Sequence, residues 1–242
     1  MQPRYPSLLP FERVDRDRMQ AIQQEINARA DFTDAFGYSA PADLLIAGID
    51  QAFTKETVVC AVVLMQNGTV VETLTTERPV TIPYIPGYLA FREGPPIRKA
   101  LESLELTPDI ILFDGNGRLH PRQAGLATHL GVVYDHPTIG VAKSLLCGTL
   151  AGERKPPFAA GTTHPIFGTD DTDTPLGYAV QTRQWDRPGN AINPVYVSPG
   201  HRCSAETAVA IVQDACAGYK LPEPIRQADA LAADVRSTTA TR

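Results

Sequence analysis

Two apolar runs end in aspartate. Ile110-Ile111-Leu112-Phe113 leads into Asp114 and the turn Gly115-Asn116-Gly117, with Arg118 and His120 behind it, and Leu44-Leu45-Ile46-Ala47-Gly48-Ile49 leads into Asp50. An unbroken apolar run bounded by turn residues is the pattern of a strand buried on both faces. The carboxyl end of such a strand is where an open α/β sheet places its ligands. Either aspartate taken singly could cap a turn, because Asp-Gly is common turn chemistry. Two delivered in the same way suggest a paired-carboxylate metal site. Hard cations such as Mg²⁺ take oxygen ligands, commonly one or two carboxylates, and keep waters for the substrate. In phosphodiester hydrolysis such a metal activates a water and neutralises charge on the phosphate. Glu93, where a loop enters a helix, and Asp229, inside the last helix, are further acidic candidates, although each by itself reads as a solvated helix position.

Other side chains could serve the same chemistry. Lys143, just past the apolar Gly140-Val141-Ala142, could steady a phosphate or a developing negative charge, or form a salt bridge to one of the acids. His120 and His201 stand in Gly/Pro-containing loops, where function concentrates; function is favoured for His120 and a structural or capping role for His201. Tyr84, between Pro83 and Ile85-Pro86, sits in a stiff apolar turn. An aromatic ring held there could wedge into a base stack as a nucleotide flips out; the competing reading is a core tyrosine. Arg92, Arg98, Lys99, Arg118, Arg122, Lys143 and Arg202 fall in or beside these motifs and could form a local phosphate-binding surface.

The elements that position these groups follow from the apolar periodicities. Met19, Ile22 and Ile26 predict an amphipathic helix over 15–30. Strands are expected at 44–50, 58–65 and 69–76, the last two joined by Asn67-Gly68, a strong hairpin signal. Gly94-Pro95-Pro96 should break the chain before a helix over 97–104. A short helix is expected over 122–130, short strands at 132–134 and 138–141, a surface loop over 153–175, and late strands at 177–182 and 195–198. Ser204 should cap a helix carrying Ala205, Val209, Val212 and Cys216, and a final helix should span 224–233. Residues 1–14 read as an extended arm and 236–242 as a disordered tail. The sum is an α/β fold with a mixed sheet, in one domain over 1–242.

Composition sets the bounds. The 242 residues are 43% hydrophobic and 20% charged, enough for one sizeable core. A net charge of -5 counts weakly against a polyanionic partner, since local patches decide binding. The four cysteines lack Cys-x-x-Cys spacing and lie in or near apolar segments, which suits buried thiols in a reducing compartment. With no signal-like opening and no apolar run of membrane-spanning length, a soluble, cytoplasmic, monomeric protein is expected.

Five blocks, PYIPGYLAFRE (83–93), LFDGNGRLHPR (112–122), PTIGVAKSLLCG (137–148), NPVYVSPGHR (193–202) and GYKLPEPIRQAD (218–229), resemble endonuclease V, the deoxyinosine 3′-endonuclease of nucleic-acid repair. They occur in the family's order and cover nearly everything from the first strand to the last helix. The resemblance implies a ribonuclease H-like fold, flanked by helices. It implies that Asp50, Asp114 and Glu93 hold Mg²⁺, with Mn²⁺ able to substitute, and that Asp229 completes the acidic site. It implies that Lys143 assists catalysis, that Tyr84 is the wedge, and that Leu89, Gly115, His120, Gly125 and Leu126 surround the flipped base or its backbone. The partner implied is DNA containing deoxyinosine, or inosine RNA, nicked at the second phosphodiester 3′ of the lesion to leave 3′-hydroxyl and 5′-phosphate ends. Ser144 departs from the basic residue that many relatives carry directly after the Lys143 position. The alternatives are a ribonuclease H-like structure-specific nuclease indifferent to inosine, an actin-like ATPase, and a catalytically silent binding module. The ATPase wants a glycine turn between the first two strands, and 51–57 contains no glycine; the intact set Asp50, Glu93, Asp114 and Lys143 argues against the silent module.

Overall fold

A mixed sheet runs through the centre of the computed structural model, which describes residues 1–9, 14–35, 44–151, 159–169, 173–184 and 193–239. After the first helix, α1 (Arg16–Arg29), come β1 (Ile46–Phe53), β2 (Thr57–Gln66) and β3 (Thr69–Pro79). Then follow α2 (Leu89–Ser103), β4 (Ile110–Asp114), α3 (Leu126–Tyr134), β5 (Thr138–Ala142), β6 (Thr149–Leu150), β7 (Thr163–Phe167), β8 (Gly177–Val180), β9 (Val195–His201), α4 (Ala205–Ala215) and α5 (Glu223–Thr239). The strand order is β3-β2-β1-β4-β5-β9-β8-β7-β6. β1, β4 and β5 are parallel neighbours and the remaining pairings are antiparallel. This is the expected single α/β domain with a mixed sheet flanked by helices.

Local chemistry explains the strands that matter most. β2 is buried from Val58 to Met65, as its unbroken apolar run requires, whereas β3 alternates at the edge. Asn67 and Gly68 both take positive φ (51° and 71°), the backbone of a tight hairpin turn. Alternation along the strands divides the core. Ala47, Ile49, Ile111 and Phe113 pack with α1, α2 and α3, while Ile46, Ile110, Leu112, Ile139 and Val141 pack with α4 and the start of α5. Gly48 lets α5 press on β1, since a Cβ there would lie 2.1 Å from the Pro224 carbonyl carbon. Among the described residues no helix is long and apolar enough to cross a membrane.

Several boundaries differ from the sequence expectation. β1 does not stop at Asp50 but continues to Phe53, because β2 goes on pairing with it (Phe53 opposite Val58) after its pairing with parallel β4 has ended at Ile49 opposite Phe113. α2 runs through Gly94-Pro95-Pro96 instead of starting after them. Prolines in a helix interior cost hydrogen bonds, but Gly94, Pro95, Pro96 and Ile97 are all buried, and Gly94 accepts the Leu9 side chain against its backbone. The helix expected over 122–130 begins at Leu126 and absorbs 132–134, where a strand was expected. Val-Val-Tyr fits either element when fully buried, and every residue of α3 is buried. The expected loop over 153–175 contains β7, whose one fully buried side chain, Ile166, leaves little apolar signal. β9 extends to His201 through Pro199-Gly200, and α5 continues to Thr239, so 236–239 are helix and not a disordered tail.

The amino-terminal arm is not simply extended. Pro6–Leu8 forms a 3-10 turn, Leu8 and Leu9 are buried, and the Met1 amino group donates to the Leu101 carbonyl at 2.7 Å. Residues 10–13, 153–158, 170–172 and 240–242 of the expected arm, loop and tail lie outside the described residues.

Candidate active site and nucleic-acid interface

The register of β1 and β4 sets two carboxylates side by side. Their last parallel pair is Ile49 opposite Phe113, so Asp50 and Asp114 follow at the same level. Both share strand parity with the residues that face α4 and α5, as does Lys143 one step past β5. Asp229 comes from α5, next to the buried Ala228 and four residues after the buried Ile225; its own side chain is exposed. Glu93 arrives from the opposite face on α2. Gln51, whose parity points that way, donates from Nε2 to the Glu93 carbonyl at 2.9 Å. A small cleft is lined by Asp50, Gln51, Glu93, Asp114 and Leu126.

The electrostatics of this cluster are those of crowded acids. Burial pushes Asp50 up to about 8; the neighbouring Asp114 adds to this, while the Gln51 N–H at 2.7 Å and Lys143 oppose it. Burial likewise pushes Glu93 up to about 8, reinforced by Asp114 and Asp50 and opposed by Arg92. Burial works against the charge on Lys143, but its bond to Asp114 (Nζ to Oδ2, 2.5 Å) and the fields of Asp50 and Asp229 raise it on balance. Among the described residues no three His, Cys, Asp or Glu side chains are placed to share one ion, so the expected trio of Asp50, Glu93 and Asp114 is gathered but not closed into a coordination sphere. The donor chemistry still fits a hard divalent cation: these are oxygen ligands, and Asp50 and Glu93 resist ionising because they are buried and crowded by one another and by Asp114, a repulsion that a cation held between them would relieve.

Beside the acids opens a cavity of about 150 Å³ whose lining includes Tyr84, Leu89, His120, Gly125, Leu126 and Ser144. Leu126 lines both cavity and acidic cleft, and Gly115 lies beneath it, with space for a Cβ only 3.3 Å from Leu126 Cδ2. Tyr84 is 63% exposed, which disposes of the core-tyrosine reading. The Arg92 guanidinium lies 4.2 Å from the Phe53 ring centroid and 6.0 Å from that of Tyr84. A larger cavity, about 430 Å³, lies near the start of β1 among Leu44, Ile46 and Met65, away from these groups.

The basic residues expected to form a phosphate surface are not equivalent. Arg98 pairs with Glu102 at 2.7 Å and Arg202 with Asp135 at 2.7 Å, whereas Arg92, Arg122 and Lys143 adjoin the cavity or the acids. His201 is structural: its Nδ1 accepts from the Asp31 N–H at 3.1 Å and its Nε2 faces Asp135 at 3.3 Å. Cys60, Cys203 and Cys216 are buried free thiols, while Cys147 is partly exposed. Two residues absent from the sequence reading stand in the site. Gln51 ties Glu93 to β1, and Gln23 of α1, 1% exposed, lines the cavity. The available signal for Gln23 was a polar residue beside Ile22 on the apolar face of α1.

With this geometry in hand, the comparisons with known proteins agree. The family model described as Endonuclease V matches residues 24–230. A curated relative named Endonuclease V, from Halobacterium salinarum, is 44% identical over 258 aligned positions, covering 95% of this chain and 98% of its own. The crystal structure of the Endonuclease V from Streptomyces avermitilis superposes with a TM-score of 0.83 at 32% identity, covering 96% of this chain and 98% of that one. A Ciona intestinalis Endonuclease V, in complex with a 24mer DNA containing an inosine followed by a ribo-adenosine, superposes with a TM-score of 0.78 at 30% identity, covering 92% of this chain and 98% of that one.

Proposed function

The chain belongs to the endonuclease V family, and from that premise we propose that it is a metal-dependent endonuclease that recognises inosine in DNA or RNA and nicks the second phosphodiester 3′ of it. The observation that carries this reading is the adjacency of the acidic cleft and the Tyr84-edged cavity, joined through Leu126. The inosine-containing DNA held by the Ciona relative supports it.

Asp50, Asp114 and Glu93 would hold Mg²⁺, or Mn²⁺ in its place, with Asp229 adding negative field from the rim. The bound ion supplies water activation and charge neutralisation on the phosphate. The chain's own residues do the rest. Lys143 offsets negative charge that grows on the phosphate as water adds to phosphorus and the O3′ bond breaks. The products are a 3′-hydroxyl, which takes up a proton, and a 5′-phosphate. Tyr84 fills the gap left by the flipped nucleotide, and Leu89, Gly115, His120, Gly125 and Leu126 enclose the base or its backbone.

Base identity can be read there without many side chains. Hypoxanthine presents a carbonyl acceptor at C6 and a donor at N1, where adenine presents a donor and an acceptor. A pocket whose backbone groups oppose the first pattern leaves buried polar groups mispaired against the second. A base in a weak pair also costs less to flip. The test is cleavage of matched strands with and without inosine, in Mg²⁺ and after chelation. Nicking that ignores inosine would favour a structure-specific nuclease instead.

A further inference from the structure

The carbonyl oxygen of Gly87 faces three donors. Gln23 Nε2 lies at 2.8 Å, His120 Nε2 at 3.0 Å and Arg122 Nη2 at 3.2 Å. A carbonyl offers two lone pairs, so the group holds one donor in surplus. Gly87 stands three residues beyond Tyr84 with φ at 78°, a backbone region glycine takes at little cost.

Second bonds fix the orientation of each donor. Arg122 Nε donates to Gln23 Oε1 at 2.6 Å, which turns the amide nitrogen of Gln23 toward Gly87. The Arg122 backbone N–H donates to His120 Nδ1 at 3.2 Å, so the ring proton sits on Nε2 and points at the Gly87 carbonyl. Burial pushes His120 down to about 4, which keeps the ring neutral in that tautomer. The Arg122 guanidinium also lies 4.7 Å from the Tyr88 ring centroid. One backbone oxygen therefore ties α1, the Tyr84 loop and the loop after β4 together. Gln23 is buried in mid-helix, where an amide is costly unless both its ends are bonded. Here both are.

We propose that Gln23 is a positioning residue for inosine recognition, holding the Gly87 carbonyl together with His120, and with it the Tyr84 loop, so that both lone pairs stay filled when Arg122 Nη2 turns from that carbonyl to a substrate phosphate. Arg122 is suited to leave because its bond is the longest of the three and its side chain the least buried. The inference rests on the wedge role given to Tyr84 above.

Three variants separate the two ideas. Gln23→Met removes both amide bonds at similar volume. Gln23→Glu keeps the acceptor for Arg122 but cannot donate to Gly87. Each is measured beside Tyr84→Ala for KM and kcat on inosine and unmodified strands, with a thermal melt on the same preparation. Both Gln23 variants should raise KM for the inosine strand about tenfold, the weight of a hydrogen bond, with the change falling on KM more than on kcat. The preference for inosine should shrink accordingly. Gln23→Glu with wild-type preference would overturn the proposal, since anchoring Arg122 would then suffice. So would a folded Gln23→Met with wild-type preference. Should Gln23→Met not fold, Gln23→Glu decides. If Tyr84→Ala keeps the preference, the wedge reading fails and this inference with it; if only the Gln23 variants keep it, the positioning role alone fails.

Discussion

Lys143 Nζ donates to Asp114 Oδ2 across 2.5 Å, joining the residue after β5 to the carboxylate that ends β4. The ammonium thus sits within the acidic cluster, in a position to share its charge between Asp114 and an incoming phosphate. The lysine side chain is 48% exposed, and exposed ion pairs contribute about 0–1 kcal/mol to stability. Lys143→Ala should therefore lower the melting temperature little while slowing inosine-strand cleavage about a hundredfold, the low end of what a charge-stabilising donor supplies. Single-turnover rates beside thermal melts check this; a large loss of stability with a proportionate loss of rate would make the pair structural.

Asp50→Asn should abolish metal-dependent nicking yet leave the metal-free protein as stable as wild type, or more so. The native carboxyl is pushed up to about 8 by burial and by Asp114, so above its unfolded value near 4 the folded state carries a penalty that an amide avoids. Chemical denaturation at pH 7.5 with chelator, alongside a nicking assay, tests both halves. A markedly destabilised variant would contradict the reading.

The acidic cluster was legible in the sequence because two apolar runs each deliver an aspartate, and pattern alone marks strands buried on both faces. That Asp50 and Asp114 stand at one level comes from the β1–β4 register, which the sequence does not show, and β1 continues past Asp50. What periodicity cannot show is the closure from the other face. Glu93 belongs to a helix that passes through two prolines, and Pro-Pro is ordinarily a stop signal; only burial of 94–97 against Leu9 and the sheet overrides it. Gln23 showed only as a polar residue on an apolar helix face, and its role stayed hidden for a different reason. Its worth lies in partners 64 and 99 residues away, and no local rule connects α1 to Gly87 and Arg122.

Stability should fall on acidification through histidine. His129 is fully buried, with Nε2 2.6 Å from the Leu8 carbonyl, and burial pushes it down to about 4, as it does His120 and His136. A depressed native value leaves stability intact above the unfolded value near 6.5 and loses it as pH falls toward 4, because the unfolded chain takes up the proton first. The loss should be on the order of 1–3 kcal/mol per buried histidine. His129→Gln should flatten part of the slope between pH 7 and 4.5 in urea titrations; an unchanged slope would mean that His129 is not held neutral.

Binding should weaken with salt despite the net charge of -5, because the basic groups that count are local. Log K should fall with a slope of about -0.9 per phosphate neutralised on duplex DNA. Arg122→Ala should reduce that slope more than Arg98→Ala, since Arg98 is held by Glu102 within α2. Equal effects of the two would contradict the placement of the phosphate path along the cavity.

Mapping the cut on a labelled strand carrying one inosine, against the same strand with adenine there, puts the whole account to the test. With Mg²⁺ present, wild type should give a single nick at the second phosphodiester 3′ of inosine and leave the adenine strand intact. Tyr84→Ala should reduce that selectivity about tenfold or more, the worth of one stacking contact, without unfolding. Equal cutting of both strands, or nicks unrelated to the position of inosine, would contradict it.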